Sequence, residues 1–292
     1  MKHYLIYTNQ QKDKNLETTN RIRTFLEKKG QTVSVITDGG MNSEQMISIK
    51  ERNGGESVAG GMGEVHCMLV LGGDGTVLRA ARTIARADIP ILGINLGTLG
   101  YLTEVELNGL EDALQRLLTD DYFTEKRLML EGTVAYVDDT KEEEWALNDV
   151  VISRSGSLQI IRYNIYVNGQ FLNSYNADGM IVTTPTGSTG YNLSAGGPLV
   201  DPGADLIMMT PICPHSLNQR SIVLSSKDVI EIEIPEGKDG GNQTVEVSFD
   251  GSHMMKMQAG DRIRVCKSSR TITFIRLNKV SFLEVLHKKM GE

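Results

Sequence analysis

The chain has 292 residues, 40% hydrophobic and 23% charged, with 37 acids against 30 bases and a formal net charge of -7. That composition excludes wholesale disorder, collagen and coiled-coil architectures, and the length suits two domains rather than one. The acidic balance, spread along the chain, argues against a nucleic-acid partner; no apolar run approaches the roughly 18 residues that cross a bilayer, so no membrane partner is expected.

The opening residues, MKHYLIYTNQ, hold too short an apolar run for a secretory segment. Cys67, Cys213 and Cys266 are widely spaced and fall in no CxxC or CxxH pattern. Neither a disulfide framework nor a protein-held metal site is expected, and the chain suits a reducing cytoplasm.

From Leu5 to about Asp120, short apolar runs alternate with amphipathic stretches, which is the pattern of α/β construction. Tyr4 to Tyr7 and Thr32 to Ile36 are expected strands flanking a helix that ends near Gly30, a C' glycine. Residues 39–63 carry seven glycines and are expected to form a surface loop. Cys67 to Leu71 is a continuous apolar run, as a strand buried on both faces requires. GGDGT follows at once, and beyond it Val77, Ala80, Ala81 and Ile84 repeat at helical spacing. Ile89 to Ile94 is the next strand. Leu110, Ala113, Leu114, Leu117 and Leu118 mark another helix, with Asn108 and Glu111 resembling a capping box at its entry.

After Tyr122 the period changes. Apolar runs at Leu130 to Tyr136, Ala146 to Ser153, Ile160 to Val167, Ile222 to Leu224, Val229 to Ile234, Val245 to Phe249, Arg262 to Val265 and Ile272 to Leu277 read as strands, and Asn168-Gly169 is a two-residue hairpin signal. Phe282, Val285 and Leu286 mark a terminal amphipathic helix. The expected architecture is an α/β, Rossmann-like domain over residues 1–122 and a mostly β, sandwich-like domain over residues 123–278. A helix over residues 279–292 packs back on the first domain.

Two segments carry chemistry. Gly72, Gly73, Asp74, Gly75 and Thr76 lie between a buried strand and a helix, so glycine backbone can approach a phosphate closely while the helix N-terminus offers free N–H groups. Asp74 does not fit simple phosphate binding, because a carboxylate repels phosphate. It reads either as a helix cap or as the acceptor of a hydroxyl proton. The second segment, Asp178 to Pro198, packs hydroxyls between Thr183 and Thr189 beside Tyr191, which suits either a base and ribose or local turns. Asn148-Asp149 sits inside an apolar run, where the pair needs partners that an adenine edge, a diol or a backbone turn would supply.

At these residues the chain resembles the bacterial NAD kinases. GGDGTVLRAAR, ILGINLGTLGYLTE, EKRLMLEG, ALNDVVISR, DGMIVTTPTGSTGYNLSAGGP, TPICPHSLNQR and SFDG occur in that family's order from about Leu69 onward. The resemblance implies ATP-dependent, Mg2+-requiring phosphorylation of NAD at the 2'-hydroxyl of its adenosine ribose. Asp74 would be the proton acceptor, and Gly72, Gly73, Gly75 and Thr76 would line the phosphates. It places Asn148 and Asp149 at adenine and ribose hydroxyls, and Asn176 and Asp178 toward the nicotinamide end. Thr186, Thr189, Gly190, Tyr191, Asn192 and Ser194 fall in the adenosine-binding stretch, which makes the β-rich domain the NAD-binding one. It also implies homodimers or homotetramers, and leaves polyphosphate open as a second donor. Asp149 stands where the family usually has Glu, Gly190 where it has Ala, Cys213 where it has Ala and Ser252 where it has Gln. Lipid kinases of the diacylglycerol and sphingosine type share the resemblance to GGDGT but not to the Asp178 to Pro198 segment.

Overall fold

The computed structural model describes residues 1–38, 65–85, 87–97, 100–156, 160–216, 220–237 and 240–290. The expected loop at 39–63 lies outside the described residues. The chain forms two compact units, Met1–Lys126 with Thr271–Glu292, and Arg127–Arg270.

The first unit alternates strand and helix: β1 (His3–Thr8), α1 (Glu17–Lys28), β2 (Thr32–Thr37), β3 (Val65–Gly72), α2 (Asp74–Ile84), β4 (Ile91–Asn95), β5 (Val105–Glu106) and α3 (Leu110–Leu118). All pair in parallel, β1 lying between β2 and β3, then β4 and the short β5. Because helices cover such a sheet, its central strands are buried: every residue of β1 and Cys67 to Leu71 of β3. Ile22, Leu26, Leu110, Leu114 and Leu117 pack on Tyr4, Ile6, Leu69 and Leu92. Gly30, at φ +74, ends α1 by a Schellman motif, its N–H donating to Glu27 and that of Gln31 to Leu26. The expected capping box at Asn108 does not form. A 3-10 turn over Leu107–Gly109 comes first, so Gly109 takes the cap position and no side chain bonds there.

The second unit is antiparallel β. One sheet runs β13 (Ile222–Ser225), β12 (Leu206–Ile212), β11 (Gly179–Thr183), β8 (Asp149–Arg154), β15 (Thr244–Phe249) and β16 (His253–Gln258). Facing it are β10 (Gln170–Ala177), β9 (Ile161–Val167), β14 (Ile230–Glu233) and the start of β17 (Arg262–Arg276), with β6 (Phe123–Ala135) pairing β7 (Lys141–Ala146). Ile152, Val182, Met209 and Phe249 of the first sheet and Tyr163, Ile165, Ile232 and Ile263 of the second form a single buried core, a sandwich. Asn168 (φ +51) and Gly169 (φ +77) close the β9–β10 hairpin as read from the sequence. From Thr271, within β17, the chain is again part of the first unit, where the terminal helix α4 (Phe282–Met290) sets Lys288 Nζ 3.8 Å from Glu106 and Lys289 Nζ 5.0 Å from the Tyr101 ring centre.

Candidate functional site

In the first unit, the loops after β1, β3 and β4 leave the carboxyl ends of parallel strands, the edge where α/β sheets bind ligands. Asn9 N–H donates to Leu71 C=O at 3.0 Å, and Leu96 N–H donates to Gly72 C=O at 2.9 Å, which ties the three loops together. Gly72 has to be glycine, since a Cβ there would lie 2.3 Å from Thr76 Oγ1. Helix α2 begins at Asp74 with Gly73 as its N-cap, and no side chain caps it. The Asp74 and Gly75 N–H groups therefore remain available to an anion, whereas Thr76 N–H already donates to Gly73 C=O at 2.8 Å.

Asp74 itself is half-buried, and both of its carboxylate oxygens are held. Tyr101 N–H donates to Oδ2 at 2.8 Å and Leu102 N–H to Oδ1 at 3.0 Å. Each oxygen keeps a second lone pair, so the group is fixed in place yet still able to accept a hydrogen bond from a hydroxyl. Of the two readings open to Asp74, simple capping fails, because its oxygens serve the 101–102 backbone rather than its own helix. Gly100 makes the approach possible: a Cβ there would stand 1.8 Å from Asp74 Oδ1. Nearby, Arg79 is committed to Asp38, its Nε at 3.0 Å and Nη2 at 2.6 Å from the carboxylate, which also accepts from Tyr7 Oη.

The second unit builds its cluster where the apolar run Ala146 to Ser153 is broken. Strand β7 stops at Ala146 and β8 starts at Asp149, because the Asp250 carboxylate takes the intervening N–H groups: Leu147 at 2.8 Å, Asn148 at 2.8 Å and Asp149 at 3.1 Å. Thr184 Oγ1 donates to Leu147 C=O at 2.6 Å and Thr183 Oγ1 to Asn148 C=O at 2.9 Å. The backbone is thus satisfied, while Asn148 Oδ1 is a buried acceptor with no partner. Asp149 is 6% exposed, and no described residue donates to its carboxylate. Burial first, and the Asp250 charge second, push its carboxyl up to about 7. Unpaired buried polar groups each cost about 1–3 kcal/mol. Such an acceptor beside a buried carboxyl marks a place suited to a ligand's donors.

Thr186–Thr189 is a 3-10 turn and Tyr191–Ser194 a single helical turn, with Gly190 between them. At Gly190 a Cβ would lie 3.4 Å from Asn148 Nδ2 and 3.9 Å from Asp149 Oδ2, so this turn closes on the Asn148-Asp149 pair. Thr186 is buried, Thr189 half-buried, and Tyr191 and Ser194 exposed. Asn192 is different: Nδ2 donates to Pro198 C=O at 3.0 Å and Oδ1 accepts from Thr210 at 2.7 Å, so its amide braces the turn from within. Asn176 and Asp178 stand at the other end of β11. Gly179 pairs with Ser153 there, while Thr183 pairs with Asp149, a separation of roughly 14 Å at strand rise. Arg154 Nε lies 3.6 Å from Asp178 Oδ1. The sequence reading missed Gly100 and the role of Asp250. The Asp250-Gly251 turn, with φ +48 and +69, was available as a hairpin signal.

Among the described residues no three His, Cys, Asp or Glu side chains converge on a point. Of the described helices, none is long and apolar enough to cross a membrane. Family models for the ATP-NAD kinase N-terminal domain and C-terminal domain match residues 5–122 and 147–277. An NAD kinase of Agathobacter rectalis is 45% identical over 291 residues, covering 100% of this chain and 99% of its own. Another, from Lachnoclostridium phytofermentans, is 44% identical with complete coverage of both chains. The crystal structure of yeast NADH kinase complexed with NADH superposes with a TM-score of 0.85 at 25% identity, over 100% of this chain and 88% of that one. An NAD kinase from Archaeoglobus fulgidus in complex with ATP shares the fold at a TM-score of 0.77, with 24% identity and complete coverage of both chains.

Proposed function

Given that the chain belongs to the ATP-NAD kinase family, we propose that it phosphorylates NAD at the 2'-hydroxyl of the adenosine ribose, with Asp74 as the proton acceptor. It is an NAD kinase, an enzyme that turns NAD into NADP at the expense of ATP. The observation that carries the finer reading is the Asp74 carboxylate, locked by two backbone N–H groups at the uncapped N-terminus of α2.

In this mechanism the 2'-oxygen attacks the γ-phosphorus, the bond from that phosphorus to the β-bridging oxygen breaks, and ADP leaves. The hydroxyl proton passes to Asp74. Because phosphoryl transfer is loose, the proton leaves late, and Asp74 contributes first by orienting the hydroxyl. The amides of Gly73 to Gly75 line the phosphates, with Thr76 beside them, its own N–H donating to Gly73 C=O at 2.8 Å. The divalent ion arrives as part of the substrate Mg-ATP, bound mainly by phosphate oxygens.

In the second unit, Asn148 Oδ1 suits the adenine amino group and Asp149 the ribose hydroxyls. Thr186, Thr189, Gly190, Tyr191 and Ser194 line the adenosine, and Asn192 holds their turn. Asn176 and Asp178 take the nicotinamide end. The Asp149 side chain, one methylene shorter than the usual Glu, reaches the ribose through a water. A cytoplasmic homodimer or homotetramer completes the reading.

The test is NADP formation from NAD and Mg-ATP, with polyphosphate as a rival donor and a diacylglycerol as a rival acceptor. Turnover of NAD with ATP and none of the lipid is expected. NAD binding without ATP-dependent NADP formation would leave a sensing module and overturn the proposal.

A further inference from the structure

The turn at Asp74 has a charge problem. A triphosphate carries several negative charges, Asp74 adds another, and the whole chain is acidic at -7. Helix amides offset only about half a charge. Arg79 Nη1 comes within 3.7 Å of where a Cβ of Gly75 would be, but its guanidinium is already tied to Asp38. A second cation among the described residues overlooks the turn. Lys12 Nζ stands 3.0 Å from the position of a Gly73 Cβ and 3.7 Å from that of a Gly97 Cβ, so the ammonium rests close above two glycine backbones.

Lys12 is placed there by its loop. Its N–H and that of Asp13 both donate to Asn9 C=O, at 3.0 and 2.8 Å, and Asn9 Oδ1 accepts from Gln11 N–H at 2.9 Å. Asn9 Nδ2 reaches Thr76 Oγ1 at 3.4 Å, linking this loop to the glycine turn. Asp13, 3% exposed, accepts from Thr8, Thr18 and Thr19. Burial opposes its charge, yet those hydrogen bonds together hold its carboxyl below the usual range, so it is a fixed anchor. On the facing loop Asn95 brackets Gly97, accepting from its N–H at 3.0 Å and donating to its C=O at 2.8 Å. Two pinned loops therefore meet at a Lys with which no carboxylate pairs among the described residues.

We propose that Lys12 is a catalytic residue of the phosphoryl transfer, its ammonium gripping the terminal phosphate oxygens of the donor above Gly73 and Gly97 and offsetting the charge of Asp74. This rests on the reading of the turn as the phosphate site. A flexible ammonium suits the task, being a compact point charge that can follow the phosphoryl group as it moves.

The experiment compares Lys12→Met, Lys12→Arg and Asp74→Asn by steady-state kinetics in both substrates, with NAD affinity measured by titration and folding checked by thermal unfolding. Lys12→Met should lower kcat/KM for ATP about 10²-fold, as loss of one charge-stabilising donor does, while NAD affinity moves less than threefold. Lys12→Arg, which keeps the charge, should recover most of the loss. If Lys12→Met keeps its kcat/KM for ATP while Asp74→Asn is impaired, the role given to Lys12 is wrong and the reading of the turn survives. If NAD affinity falls as far as ATP use, or Arg restores nothing, Lys12 acts only through structure and the proposal is overturned. Unimpaired Asp74→Asn would overturn the phosphate-site reading itself.

Discussion

The glycine turn of the first unit and the Asn148-Asp149 break of the second solve opposite problems. In the first, backbone holds a side chain: the N–H groups of residues 101 and 102 fix the Asp74 carboxylate and spend none of its remaining lone pairs. In the second, side chains hold backbone: Asp250, Thr183 and Thr184 saturate the main chain at 147–149, and Asn148 Oδ1 is left buried without a partner beside the Asp149 carboxylate. An oriented but satisfied group suits chemistry, and buried unsatisfied groups suit recognition. Substitutions in the first region should thus act on kcat, and those in the second on the KM for NAD.

The sharpest way to break this contrast is Gly100→Ala. The new methyl would occupy space 1.8 Å from Asp74 Oδ1 and 2.5 Å from Cγ, so the carboxylate must swing away from its two donors. A fall in kcat of about 10² to 10⁴, typical of a misplaced acid–base group, is expected with NAD affinity unchanged. Steady-state kinetics with a parallel NAD titration checks it.

Asp250→Asn comes next. An amide keeps one acceptor oxygen but turns an NH2 toward an N–H, at either Leu147 or the 148–149 pair, and each donor left unpaired costs about 1–3 kcal/mol. The KM for NAD should rise about tenfold while kcat changes little, and the same variant should unfold at lower temperature.

Asp149→Asn tests the buried acid by pH. Because its folded pKa of about 7 lies above the ordinary carboxylate value, the unfolded chain ionises first and stability falls as pH rises. The penalty is absent below about pH 4, grows through the acidic range and is complete above about pH 7. The Asn variant, which has no such penalty, should gain roughly 2 kcal/mol relative to the parent between pH 5 and pH 8, read by denaturant unfolding at each pH. No gain would mean that the acid is not buried as described.

The smallest effect is expected for Gly190→Ala. Its Cβ would meet Gly187 C=O at 3.3 Å and Asn148 Nδ2 at 3.4 Å, contacts that a shift of a few tenths of an ångström relieves. A change in KM for NAD of about threefold or less should result, the equivalent of well under 1 kcal/mol.

Much of the first unit was legible because parallel strands buried on both faces are apolar without interruption and their helices carry clean stripes. The second unit was harder. Lys141–Ala146 is a strand exposed over its first three residues, and its four successive charged side chains carry no apolar signal that would mark it. Leu206–Ile212 contains Pro211, a residue that sequence patterns count against a strand, yet it pairs β11 as far as Ile212 and β13 as far as Met209. Arg262–Arg276 is one strand whose polar middle, Lys267 to Arg270, breaks the apolar pattern into two apparent runs. At the site, Asp74 stood out by its misfit among glycines. Its holders did not, because N–H groups at 101 and 102 carry no residue-type signal, and Asp250 acts about a hundred residues away from the turn it shapes.

One comparison decides most directly whether the fixed carboxylate of Asp74 serves the transfer step: the single-turnover rate of NADP formation by Asp74→Asn against the parent, with the NAD dissociation constant measured on the same samples. A rate lower by about 10² to 10⁴ with NAD affinity within threefold is expected. A rate near that of the parent, or a loss confined to NAD affinity, would contradict it.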